Sequence, residues 1–315
     1  MNPSTPEPGA TVIIPARNEA HRIATTIRAV LSQIPPPLEV LVANDASTDA
    51  TGEEAQKAGA QVIPLAGTGN PGAARNAAAQ VAKGSVLVFL DADCVPRKGW
   101  LAAHLAAQEA ARGIVGGSLD LPAGLPWLAR ADYYVSAYHV HPGRKPGKVS
   151  NHSPANLSVQ RTVFSGTRGF TEEFPVADGH EELAWQSEAG RSGVPVYFEP
   201  GAVVDHWNRG GLGNILSRSY RWGYSALEAK ATSGASRLAG WYRLPLVSIL
   251  LAYPLALLET VYITGSWLGA GRWAVMQFVP VILVSRLAYA TAFIAGGCHW
   301  LVRGSKVQRR PPRWG

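Results

Sequence analysis

The apolar run SVLVFL at residues 85–90 ends in Asp91-Ala92-Asp93. Two carboxylates two positions apart at a strand end share a face. Such a pair can hold a hard divalent cation, which takes oxygen ligands and can also bridge two phosphates. Solvated turns carry the same D-x-D text, so position has to separate the two readings. Asp45 closes the run EVLVAN, and Arg17 and Asn18 follow TVIIPA. Polar residues thus stand just past three apolar runs, where ligands of a parallel sheet lie, beyond the carboxyl ends of the strands. Three carboxylates on one rim repel one another unless a cation or a donor-rich ligand sits between them. Asp45 can accept a base N–H while Ser47 or Asp49 caps the next helix. Further on, Asn70-Pro71-Gly72-Ala73-Ala74-Arg75 sets a cation where a helix begins. Arg75 there suits a phosphate or base contact, with a surface salt bridge as the plain alternative.

The elements that must position these residues alternate. Apolar runs near residues 11–15, 39–45, 61–65 and 85–91 are separated by helical text near 19–33, 51–58 and 73–83. Continuous Val/Ile/Leu runs separated by helices describe a parallel sheet covered on both faces, and the fold class is α/β.

Of the 315 residues, 47% are hydrophobic and 16% charged, and the last third supplies the apolar excess. Two stretches, about 244–268 and 273–299, reach the roughly 20 residues that cross a bilayer, with the turn at Gly269 to Arg272. Glu259 and Arg286 are costly in lipid, which a buried helical hairpin would explain; two spans would set them facing each other or a partner. Arg237 and Arg243 precede the first stretch, and Arg303, Lys306, Arg309, Arg310 and Arg313 follow the second. The positive-inside bias puts both flanks in the cytoplasm, against Arg272 in the turn. The net charge of +7 is read as attraction to anionic lipid, not to nucleic acid. Cys94 and Cys298 are the only cysteines, so neither a disulfide framework nor a zinc site is indicated. The chain therefore divides into a disordered 1–10, a catalytic 11–236, membrane helices in 237–300 and a basic cytosolic tail 301–315. A cut near Arg237 is expected to release a soluble catalytic part. PWLARADYYVSAYHVH at 126–141 is rich in Trp and Tyr, which suits a membrane interface or a buried amphipathic helix.

The blocks TVIIPARNEA, VANDASTDAT, NPGAARNAA, VLVFLDADC, PANLSVQRTVF, GFTEEFP and GHEELAW occur in the order and spacing of family-2 glycosyltransferases. The chain resembles that family from about residue 11 to 222. The resemblance implies a GT-A fold, Rossmann-like with a mostly parallel sheet, and inverting, metal-dependent transfer from a UDP- or GDP-sugar. With the two apolar stretches, the expected acceptor is a hydroxyl or phosphate of a membrane-associated molecule, whether lipid, polyprenyl, carotenoid or hopanoid, at the cell inner membrane or plasma membrane. It assigns Pro15, Arg17, Glu19, Asp45, Arg75, Asp91, Ala92 and Asp93 to the donor, with Asp45 on the base. Mg2+ or Mn2+ falls to Asp91 and Asp93, with His206 as a further ligand. Asn44 departs from the acid usual there.

The family's base is the aspartate of an E-D pair, and two registers compete. Counting back from Gly193 and Pro200 places the pair on Glu181 and Glu182; anchoring on Leu183-Ala184-Trp185 places it on Gly179 and His180. The first keeps a carboxylate for the acceptor proton, so Glu182 is the expected base with Glu181 beside it, and Asp178 remains open. Arg221-Trp222 resembles the R-W half of a Q-x-x-R-W acceptor element, with Arg218 in place of Gln.

Two other readings compete. Gly67-Thr68-Gly69-Asn70-Pro71-Gly72, with Asp91 about 20 residues on, fits the dinucleotide fingerprint of an NAD-dependent oxidoreductase. Against it, two strand–helix units precede the loop, and Pro71 removes a backbone donor. A non-catalytic membrane scaffold is the third class, opposed by intact Asp45, Asp91 and Asp93.

Overall fold

The computed structural model describes residues 6–111, 113–172, 180–208, 210–233, 242 and 244–303. Asp178 and Gly179 lie outside them, as do the tail beyond 303 and the Arg237 boundary.

Nine strands among the described residues form one sheet. β1 (Glu7–Ala16), β2 (Glu39–Asp45), β3 (Gln61–Leu65) and β4 (Gly84–Leu90) are followed by β5 (Cys94–Pro96) and β6 (Ile114–Asp120). β7 (Gly147–Val149), β8 (Asn156–Gln160) and β9 (Val196–His206) complete it. The order is β3-β2-β1-β4-β8-β6-β9-β5, with β7 on β9. Helices α1 (Ile23–Leu31), α2 (Thr51–Lys57) and α3 (Pro71–Val81) cross between the first four strands. Those strands pair in parallel. Val12 and Ile14 join the core on one face, while Ile13 joins the other with Leu41 and Phe89. Alternate side chains of one strand are therefore both buried, which is why the run reads as unbroken apolar text.

The expected mostly parallel sheet needs correction. β8 enters antiparallel to both β4 and β6, and β5 and β7 are antiparallel to β9; only β6 with β9 adds a parallel pair. Past β4 the strands are no longer joined one by one through crossover helices, so the rule that makes such units parallel lapses.

The remaining helices are α4 (Trp100–Ala111), α5 (Trp127–Ser136), α6 (Arg161–Ser165), α7 (Leu183–Arg191) and α8 (Leu212–Ser233). α9 (Pro245–Leu250) and α10 (Ala252–Gly269) follow, then a 3-10 turn (Trp273–Phe278) and α11 (Val279–Arg303). α5 is the buried alternative: Ala129, Ala131, Asp132, Tyr133, Tyr134 and Val135 face inward, and Trp127 stays exposed.

One helical stretch among the described residues, Trp273–Val302, is long and apolar enough to cross a membrane. The first expected span is interrupted at Leu251, between α9 and α10. Pro254 explains the break, because it has no N–H to continue the helix from Leu250 and is tolerated only in a first turn. Its 18 residues give α10 a length of about 27 Å, just short of the roughly 30 Å hydrocarbon core. Glu259 of α10 and Arg286 of α11 do face each other, at 3.8 Å.

α11 packs on α8. Ser219 and Ser285 hydroxyls meet at 2.8 Å, and an added Cβ at Gly223 or Gly296 would fall 2.2 Å from Tyr289 O or 1.9 Å from Tyr224 O. The core that holds Val12 and Trp100 runs on without a gap through Tyr133 and Tyr134 to Trp267, Phe278 and Ile282.

Candidate active site

A cavity of about 1090 Å³ opens at the carboxyl ends of β1 and β4, with α5, α7, α8 and α11 around it. Its wall includes Pro15, Arg17, Glu19, Arg75, Asp91, Ala92 and Asp93 on the sheet side. The same wall includes Glu181, Glu182, His206, Arg221 and Trp222. Of the expected site residues, Asp45 is the exception. Its two carboxylate oxygens accept the backbone N–H groups of Thr68, at 2.5 Å, and Gly69, at 3.0 Å.

That engagement settles what the glycine-rich loop does. Asn70 caps α3, its Oδ1 accepting from Gly72 N and Ala73 N, and Pro71 occupies the first turn, where its missing N–H costs nothing. The N–H groups of Thr68, Gly69, Gly72 and Ala73 are thus spent on Asp45 and Asn70, not left open for a pyrophosphate. Gly72 serves close packing, since a Cβ there would sit 3.0 Å from Phe170 Cβ and 3.1 Å from Glu181 Cβ. At α2 the N-cap position falls on Ala50, which makes no side-chain bond; Asp49, one residue earlier, accepts Thr51 N at 3.0 Å.

Arg75 is the centre of the site. It is 2% exposed, and its guanidinium reaches Asp91 Oδ1 at 2.5 Å and Glu181 Oε1 at 2.9 Å. The plain surface salt bridge is thereby excluded. One buried cation ties the rim of β4 to the start of α7, residues far apart in sequence.

The two carboxylates of Asp91-Ala92-Asp93 part company. Asp91 turns to Arg75, while Asp93 lies 3.6 Å from His206 Nε2. Register explains this: β5 pairs antiparallel with β9 so that Cys94 stands opposite His206, and Trp207 N donates to Asp93 O at 2.9 Å. Among the described residues, Asp93, Cys94 and His206 offer ligand atoms within 4.8 Å of one another. Of the expected ligand trio, Asp93 and His206 stand in this group, while Asp91 is held by Arg75. Burial, helped by Asp93 and Asp91, pushes the Cys94 thiol well up, so it stays protonated and is a poor ligand for a hard cation. Burial depresses the His206 imidazole, but Asp93 and Asp91 outweigh it and hold its pKa above the ordinary value.

Glu182 is 7% exposed at the N-terminal end of α7. Burial, and then the neighbouring Glu181 carboxylate, raise its pKa well above the carboxylate range. Burial raises Glu181 too, against the pull of Arg75. His180, the candidate of the competing register, bonds Ser225 Oγ through Nδ1 at 2.9 Å. Its burial, with Lys230 nearby, lowers the imidazole to about 3. So weak a base cannot compete for a proton at neutral pH.

Three features of the wall escaped the sequence reading. Asp132 of α5, 1% exposed, pairs with Arg218 and accepts from Asn208 Nδ2 at 3.0 Å. An acid inside the aromatic helix text was the available signal. Arg218 replaces the expected Gln because it answers that acid, and it lies over the Trp222 ring at 4.9 Å. Lys230 of α8 and Tyr289 of α11, their polar atoms 3.3 Å apart, bring the C-terminal helices into the wall.

Against known proteins, the glycosyl transferase family 2 profile matches residues 11–164. Glycosyltransferase AglE of Haloferax volcanii is 27% identical over 229 residues, covering 70% of this chain and 74% of that protein. A pre-mycofactocin glycosyltransferase of Mycobacterium tuberculosis is 27% identical over 231 residues, 69% of this chain. The match covers 46% of that relative, less than half its length. Among solved structures, a mannosyltransferase from Pyrobaculum calidifontis in complex with GDP-Man and Mn2+ superimposes with a TM-score of 0.58 at 19% identity. That match covers 93% of this chain and 88% of the other, and it shows a shared GT-A-type fold. A family 2 match that begins at β1, and one cavity that gathers the acidic rim and a buried carboxyl pair, lead to the same place: the chain is a glycosyltransferase whose residues 11–164 match the family 2 profile.

Proposed function

We propose that the chain transfers a sugar, with inversion, from a nucleotide-diphospho-sugar to a hydroxyl or phosphate of a lipid-like acceptor at a membrane. The observation that carries this reading is the cavity itself, which joins Arg17, Asp91, Asp93 and His206 at one end to buried Glu182 and to the aromatic wall of Trp222 and Tyr289. A GDP-sugar donor is compatible with the Pyrobaculum neighbour's GDP-Man.

The residues fit a divalent cation. Asp93 and His206 are 3.6 Å apart, too far for a hydrogen bond, whereas two ligands about 2.1 Å from one ion stand about 3 to 4 Å apart. His206 Nδ1 is buried without a partner. Mg2+ or Mn2+ held by Asp93 and His206 would neutralise charge on the leaving diphosphate.

The chain's own groups divide the remaining work. Glu182 takes the acceptor hydroxyl's proton as its oxygen bonds the anomeric carbon and the bond from that carbon to the diphosphate breaks. Arg75 fixes Asp91 and Glu181 relative to each other, so donor rim and base move as one unit. Arg221 and Trp222 line the acceptor end.

The test is turnover of radiolabelled GDP- and UDP-sugars by purified protein with a membrane lipid extract, NAD binding being measured in parallel. Label is expected in the organic phase, dependent on Mg2+ or Mn2+, and Asp93→Ala should lower turnover by about 10² or more. Retention of NAD without sugar-nucleotide turnover would refute the proposal, and unchanged metal-dependent turnover in Asp93→Ala would refute the metal site.

A further inference from the structure

The loop between the two C-terminal apolar helices does not stand away from the catalytic sheet. Arg272 Nη2 lies 3.0 Å from Asp120 Oδ1 at the end of β6, an oxygen that also accepts from Tyr133 at 3.2 Å. Trp267 Nε1 donates to Tyr134 O at 2.9 Å, and Ser266 Oγ to Tyr138 O at 3.3 Å. The other end of the pair rests on the same body. Tyr289 lines the active-site cavity, Gly296 abuts Tyr224 O, and the Tyr224 hydroxyl bonds His299. A hairpin that crosses a bilayer carries its turn about 30 Å away, to the far side. Here the turn is fastened to β6 and the α5 region, and the open end to α8.

The outer side of α9 and α10 remains uncovered. Leu246, Leu250, Leu257, Leu258, Val261 and Tyr262 are between 54% and 78% exposed. Large contiguous apolar patches on soluble monomers mark interaction sites. Tyr253 and Trp273, 45% and 70% exposed, add the amphipathic rings that settle at headgroup level. The adjoining sequence decides the partner. Residues 234–244 and 304–315 carry Arg237, Arg243, Lys306, Arg309, Arg310 and Arg313 and no acid. That charge complements anionic headgroups and would repel a second copy of a chain whose net charge is +7.

We propose that α9 and α10 lie in the plane of the membrane, their outer face embedded in one leaflet containing anionic lipid, and that the helix pair does not cross the bilayer. α11 is then an internal strut between α8 and α10, and the cavity it lines sits at headgroup level. Interfacial helices of this kind sink about 5–10 Å, and their binding weakens with salt.

Two measurements on the full chain test this. The first uses a Cys298→Ser background, since Cys298 is exposed and Cys94 buried. Single cysteines are placed at Gly269, where an added Cβ meets nothing within 4 Å, and at Lys57, whose side chain is 66% exposed. A membrane-impermeant maleimide should label Gly269→Cys and Lys57→Cys from the same side of intact and inverted membrane vesicles. Labelling of Gly269→Cys from the opposite side only would establish a crossing hairpin and overturn the proposal.

The second measurement is flotation with phosphatidylglycerol-containing or pure phosphatidylcholine vesicles after detergent removal. The chain should float with the anionic vesicles, less so in high salt. The double variant Leu258→Glu, Val261→Glu should reduce the floated fraction at least tenfold while keeping its circular dichroism spectrum. Unchanged flotation by that variant, with conversion of a dimer to a monomer, would assign the patch to a second copy and overturn the leaflet. Neither readout uses glycosyl transfer to the acceptor, so the proposed reaction can fail while this inference stands.

Discussion

Glu182 has the environment a base needs and an ordinary helix-terminal acid lacks. It is buried at the start of α7, against a second carboxylate whose own charge is answered by Arg75. Burial and Glu181 raise its pKa, and a base is active only above its pKa. The sign is therefore fixed: turnover should be lost as pH falls through that raised value, at a pH higher than an exposed glutamate near 4.3 would set. A pH–rate profile of sugar transfer checks this. Glu182→Gln should keep nucleotide-sugar binding and lose about 10² to 10⁴ in transfer rate. Loss of a helix-terminal charge alone would instead cost at most about 1 kcal/mol of stability. Glu181→Gln is expected to be milder in rate and to weaken Arg75's hold on α7. Near-normal transfer by Glu182→Gln beside a dead Glu181→Gln would move the base by one residue.

Among the elements, the α8–α11 contact is set by glycine. An alanine in a helix interior ordinarily stabilises by about 0.5–1 kcal/mol over glycine, and that holds at exposed Gly265 of α10, where an added Cβ meets nothing within 4 Å. At Gly296 the same Cβ would lie 1.9 Å from a backbone oxygen of Tyr224, which no side-chain rotation can relieve. Overpacking of about 1–3 kcal/mol then outweighs propensity. Thermal unfolding should show Gly265→Ala raising the midpoint and Gly296→Ala lowering it; equal shifts would deny the close contact. What the sequence revealed of such elements follows from range. β1, β2 and β4 were legible because both faces are buried and the text is continuously apolar, and Asp91 and Asp93 were legible because they end such a run. Arg75 with Glu181, or Asp132 with Arg218, could not be read, because each pair is joined only by the folded sheet. Antiparallel β8 escaped because a short buried strand reads the same in either direction. Pro254 did signal the break at Leu251, but hydropathy averaged across it.

At the scale of the whole molecule, hydropathy showed that the last third is apolar but not whether its apolar side meets lipid or protein. One side of it meets protein, and this bears on whether the chain can be cut near Arg237. Trp267 is fully buried against Tyr133, Tyr134 and His141, with ring centroids 5.1, 4.9 and 4.4 Å away. An aromatic side chain buries about 150–250 Å², worth roughly 4–6 kcal/mol at about 25 cal/mol/Å². That one residue is comparable to the lower end of the 5–15 kcal/mol by which domains are typically stable. A fragment ending at residue 236 would lose Trp267, Phe278 and Ile282 from the shared core and bare the Gly223 face of α8. Its cavity would also lose the Tyr289 wall. The soluble catalytic fragment expected from composition should therefore aggregate when expressed, and Trp267→Ala in the full chain should cost about 3–5 kcal/mol. Expression of residues 1–236 followed by size-exclusion chromatography and a donor-turnover assay decides the point. A monodisperse, active fragment would mean that the helices cover a domain already complete without them. Aggregation rescued by adding back residues 237–303 as a separate chain would show that the C-terminal helices belong to the catalytic fold.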